Sequence, residues 1–227
     1  MKAKFITTFI SYNGKKLQIL KPVIKFENTY VIETAPKVFI IFGNEEELKL
    51  LANLFNLVSC QKDVLIYLPV KKKSIPTYLK NWSNYVKQRD LVILHHSTQF
   101  KTKNWKQLRE KIRKSHKVIS LDLRLPTWDK NQLRKDFERI NYKENKEFLD
   151  LKIYAETLFM MSSSRIYYLI AYDTEHVSIN GKMLFEKYPG FHEHEHLNNY
   201  LRDPYLSNKG NGFALTVDFY DKDLWGE

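Results

Sequence analysis

Between residues 38 and 123 one pattern occurs three times: an apolar run, a polar joint and an amphipathic stretch of helical period, closed by a fourth apolar run. The runs cover residues 38–42, 64–68, 91–94 and 118–121. Short apolar strands alternating with helices imply a parallel α/β sheet, because crossover helices bury both of its faces. The expected architecture is therefore a three-layer α/β sandwich with a parallel four-strand core sheet over 38–123. Such a sheet binds ligands at the loops leaving the carboxyl ends of its strands.

The segments around this core extend the reading. Residues 5–11 alternate like a strand and run into Asn13-Gly14, a pair that favours a tight hairpin because both tolerate positive φ. A second hairpin is expected from 23–26 and 30–32 around Glu27-Asn28-Thr29, which makes an N-terminal antiparallel β-meander. Helices are expected after Asn44, from Ser74 to about Val86 on the spacing of Ile75, Leu79, Trp82 and Val86, and around Trp105, Leu108 and Ile112. After Pro126 the alternation ends. Helices at 133–140 and 148–159, strands at 166–172 and 177–179, a turn at Asn180-Gly181, helices at 182–188 and 193–201, and a strand at 213–219 make a C-terminal α+β appendage. The domain division is 1–126, a β-meander plus α/β unit, and 127–227, packed on the first.

Composition narrows the class. Cys60 is the only cysteine, which excludes a disulfide framework or a cysteine-rich zinc site and suits a reducing compartment. There is no signal-peptide pattern and no apolar run of membrane-spanning length, so the expectation is a cytoplasmic protein without a membrane role. Charge is distributed unevenly: residues 1–143 hold 29 Lys and Arg against 12 Asp and Glu, and residues 144–227 hold 8 against 14. A basic body suits a polyanion, and an acidic C-terminal part suits a protein partner.

The densest basic stretch is Lys101, Lys103, Lys106, Arg109, Lys111, Arg113, Lys114 and Lys117, opposed only by Glu110. Phosphate contacts need such a cationic face and no sequence-specific chemistry, which points to DNA or RNA. Trp105 belongs to the apolar stripe of the same helix and reads as core. The expected carboxyl-edge loops carry Lys71, Lys72, Lys73, His95 and His96, an adjoining anion site. No loop has the glycine pattern of a dinucleotide or phosphate-loop fingerprint, and no cofactor is implied.

His192-Glu193-His194-Glu195-His196 contains the H-E-x-x-H pattern, and over these five residues it resembles the zinc hydrolases that use it. That resemblance implies a metal held by His192 and His196 one helical turn apart, with Glu193 activating water. Pro189-Gly190 just upstream and charged middle positions depart from the pattern, and a polar helix start is the preferred reading. Asp203 and Asp218 are the third-ligand candidates. Residues 172–173, 177–179 and 184–188 resemble the strand–turn–helix end of small bacterial proteins linked to toxin immunity, which implies protein binding.

Three functional expectations result. The first is a non-enzymatic binding protein whose basic body engages nucleic acid. The second is an immunity or phage–host conflict factor docking a protein through residues 144–227. The third is a nucleotide- or nucleotide-sugar-dependent enzyme using the carboxyl edge of the sheet.

Overall fold

A computed structural model gives the fold and describes residues 1–226 other than 73, 82, 143, 189–190, 203 and 205–211. The chain opens with the expected hairpin: β1 (Lys2–Tyr12) and β2 (Lys15–Pro22) meet at Asn13 and Gly14, with φ of +51° and +75°. The second expected hairpin does not form. Glu27 and Asn28 instead donate their backbone N–H groups to the carboxylate of Glu47, at 2.7 and 3.0 Å, and the Thr29 hydroxyl donates at 2.6 Å. Glu47 sits in the first turn of α1 (Glu45–Cys60), so a buried carboxylate fixes this loop where a strand pairing was expected. The next strand, β3 (Tyr30–Ala35), turns through Lys37 at φ +67° into β4 (Val38–Gly43).

All four apolar runs are strands: β4, β5 (Val64–Leu68), β6 (Lys87–His95) and β7 (Val118–Asp122). They do not form a parallel core with one another. Leu65 and Leu68 of β5 face Leu94 and Leu91 of β6 in antiparallel register, β4 is antiparallel to β3, and β7 is antiparallel to β1. The parallel pairs are β2 with β5, β6 with β9 (Thr157–Ser162), and β4 with β11 (Ala214–Phe219). The physical reason lies between β5 and β6. Among the described residues there, only Thr77–Lys80 is helical (α2), too short to carry a crossover back to the start of a parallel strand. The result is a mixed sheet ordered β10-β11-β4-β3-β6-β5-β2-β1-β7, in which β10 is His194–His196. Strand β9 also pairs with β6, and β8 (Asp150–Tyr154) pairs with β9.

Helices α1, α3 (Trp105–Arg113) and α4 (Lys130–Ile140) match their periodicity. Other expectations are corrected. The stripe of Ile75, Leu79 and Val86 packs on Tyr30, Ile32 and Phe42, but mostly outside a helix. Residues 150–162 are the β8–β9 hairpin, turned by Ala155 and Glu156 at φ +46° and +64°. Residues expected as two strands, a turn and a helix form one helix, α5 (Ser164–Lys187), capped by the Ser163 side chain. The strand–turn–helix likeness of that segment is therefore not present. Cys60 is exposed at the end of α1.

The central strands bury both faces. Along β5, Val64, Ile66 and Leu68 pack with α1 and α5, whereas Leu65 and Tyr67 pack with Phe100, Trp105, Leu108 and Ile112. Helix α3 is thereby seated on the sheet face opposite α1 and α5. Among the described residues, no helix is long and apolar enough to cross a membrane.

Candidate nucleic-acid interface

Helix α3 divides cleanly. Its Trp105, Leu108 and Ile112 are buried, and Trp105 has no exposed surface. The indole N–H donates to the Thr157 hydroxyl at 2.9 Å, and the ring packs edge-on against Tyr67 and Phe159. Apolar contacts at helical spacing thus leave the remaining positions to face water. Lys101, Lys103, Lys106, Lys111, Arg113, Lys114 and Lys117 are all exposed, and Arg109 is half-buried.

Internal carboxylates take up only part of this charge. Arg113 pairs with Glu110 at 3.0 Å on the helix surface. Arg109 lies in the field of Glu156 and Asp90, and Lys71 pairs with Glu156 at 2.6 Å. The Lys71 hydrogen bond, reinforced by its charge and that of Arg109, holds the Glu156 carboxyl below its ordinary range. Among the described residues, Lys101, Lys103, Lys106, Lys111, Lys114 and Lys117 have no ion-pair partner within salt-bridge distance.

A groove of about 500 Å³ opens where the parallel pair β6 and β9 ends. His96, Lys101, Lys103 and Lys152 line it together with Asp150. Asp150 is itself held by Arg202 at 2.5 Å. Lys152 is the residue that sequence reasoning missed. It belongs to β8, read as helix, and nothing in its local sequence links it to residues 96–103.

His95 does not join this groove. It is 3 % exposed, and its Nδ1 accepts from the Ser97 backbone N–H at 3.2 Å. Burial lowers its pKa to about 4, helped by the neighbouring His96 charge, so the ring is neutral and structural.

Lys71 and Lys72 lie at the opposite end of the antiparallel β5–β6 pair from His95 and His96, so they do not form one adjoining site. Lys73 is outside the described residues. Lys72 enters a separate cleft of about 600 Å³, formed where β2 and β5 end and β3 begins. Lys21, Lys25, Lys72 and Lys222 line it beside Ile24, Phe26 and Tyr30. The Lys72 ammonium stands 3.6 Å from the Tyr30 ring centroid and donates to the Glu27 carbonyl. Burial depresses its pKa to about 8.

The H-E-x-x-H segment is extended, so the helical zinc geometry is not present. Alternation along the strand sends His192, His194 and His196 to one face, the first two rings stacked at a centroid distance of 5.0 Å and the last two edge-on at 4.9 Å. His192 approaches the buried Asp218 carboxylate at 3.1 Å, and His196 approaches the Thr216 hydroxyl at 3.1 Å. Glu193 faces the other way. Asp203 is outside the described residues.

The chain matches no protein-family model, no curated protein and no solved structure.

Proposed function

We propose that this chain is a non-enzymatic nucleic-acid-binding protein that grips phosphates through α3 and the groove beside its start. The observation that carries the reading is the anchored helix and its flanks, with six lysines unneutralised by described residues: Lys106 and Lys111 on the helix, and Lys101, Lys103, Lys114 and Lys117 beside it. A rigid base holds these charges at one surface, and His96 and Lys152 extend it. Such a surface contacts phosphate without reading bases, so affinity follows charge and salt rather than sequence. Titrating a labelled duplex and a labelled single strand at low ionic strength tests it. Similar affinity for unrelated sequences is expected, and absence of binding to both removes the reading.

A second reading rests on the Lys72 cleft, whose four lysines and apolar wall suit a small anionic ligand with a planar or apolar part, such as a nucleotide. Thermal stabilisation by one nucleotide, lost in Lys72→Met, would support it. Indifference to every nucleotide tried would remove it.

A further inference from the structure

On the far side of the molecule, the same alternation that separates the histidines of residues 192–196 directs Glu193 and Glu195 toward α5. There they meet His176. Its Nδ1 lies 3.4 Å from Glu195 Oε1 and 3.7 Å from Glu193 Oε1, and one donor atom from each of the three residues falls within 4.8 Å of the others. The nitrogen is closed off from solvent and makes no hydrogen bond to any described group. Two carboxylates converge on it at distances slightly too long for a direct N–H···O bond. A zinc-class ion with bonds of about 2.0–2.2 Å sets neighbouring donors of a tetrahedron about 3.3–3.6 Å apart, close to the spacing found.

We propose that His176 Nδ1, Glu193 and Glu195 form a binding site for a divalent transition-metal cation. The donor set of one imidazole and two carboxylates suits zinc or its first-row neighbours better than calcium, which takes only oxygen ligands. Three protein donors leave a coordination position for water, and the side chains of His176 and Glu195 are partly exposed, 41 % and 39 %, although the Nδ1 donor itself is covered. Asp173, one turn earlier on α5, is buried and accepts a hydrogen bond from Tyr200 at 2.5 Å. The ion would tie the three-residue strand β10 to the middle of α5. The site is separate from the histidine ladder on the opposite face of β10 and does not depend on the nucleic-acid reading.

Calorimetric titration of the full chain with Zn²⁺, paired with thermal melting, tests this. One equivalent binds and raises the melting midpoint, and both effects fall at least about tenfold in His176→Ala and in the isosteric Glu195→Gln. The double variant His194→Ala, His196→Ala retains them. Circular dichroism checks that each variant folds, and Glu195→Gln decides the matter where His176→Ala does not fold. Absence of saturable binding overturns the proposal. So does binding that survives Glu195→Gln but disappears in the His194/His196 variant, since the ladder would then be the site.

Discussion

The indole N–H of Trp105 donates to the hydroxyl of Thr157 at 2.9 Å, joining the first turn of the basic helix to the start of β9. Both groups are fully buried, so neither finds water when the other is removed. Thr157→Val should cost about 1–3 kcal/mol because it leaves the buried indole N–H unpaired, and Trp105→Phe a similar amount through the lost hydrogen bond and the smaller ring, the Thr157 hydroxyl keeping its 3.4 Å bond to the Ala155 carbonyl. Combined, they should cost less than their sum, with a coupling above about 0.5 kcal/mol in denaturant unfolding. Strict additivity would contradict the contact. In the folded Trp105→Phe variant oligonucleotide affinity should stay within about twofold of the parent, since a sealed indole stacks on no base.

His95 should make the fold acid-labile. Its folded pKa of about 4 lies below the ordinary 6.5, so the unfolded chain takes the proton first. Stability is full above about pH 6.5 and falls as pH drops toward 4, by an upper bound of about 3 kcal/mol. Protonation of Nδ1 also removes the acceptor for Ser97 N–H. His95→Gln keeps an acceptor without titrating. Denaturation between pH 7 and 4 should therefore show a flatter profile in that variant, and an unchanged slope would assign the lability elsewhere.

Gly181 lies within α5, where a Cβ would stand 2.3 Å from Cγ of Phe219. Alanine favours a helix by about 1 kcal/mol over glycine, yet the overlap outweighs that preference. Gly181→Ala should destabilise by about 2 kcal/mol, and by clearly less in a Phe219→Ala background. A melting midpoint raised by Gly181→Ala would contradict the close approach.

Gly181 also marks where the sequence misleads. Asn180-Gly181 reads as a turn, but the glycine serves a close approach of helix to strand that only the fold reveals. Apolar runs located all four strands of the middle segment, three of them, β4, β5 and β6, because they are buried on both faces. They carry no information on strand direction, and the parallel partners of β4 and β6 are β11 and β9, far along the chain. The β8–β9 hairpin was hidden because its turn uses Ala155 and Glu156 at positive φ without a glycine or asparagine signal. The apolar stripe and charged face of α3 were legible from local spacing alone. Lys152 and the convergence of His176 with Glu193 and Glu195 were not, since each arises from pairing between distant segments.

The central claim is that the water-facing lysines of α3 and the turn before it bind phosphate. The most direct measurement is the salt dependence of duplex affinity for the parent chain and for the Lys103→Glu, Lys106→Glu, Lys111→Glu variant, with Lys49→Glu, Lys130→Glu, Lys187→Glu as a charge-matched control on exposed sites elsewhere. For the parent, log K should fall linearly with log salt, by about 0.9 per phosphate contacted. The α3 variant should bind more weakly, with a slope shallower by about 2–3, and the control should stay near the parent. An affinity indifferent to salt, or an α3 variant indistinguishable from the control, would contradict the claim.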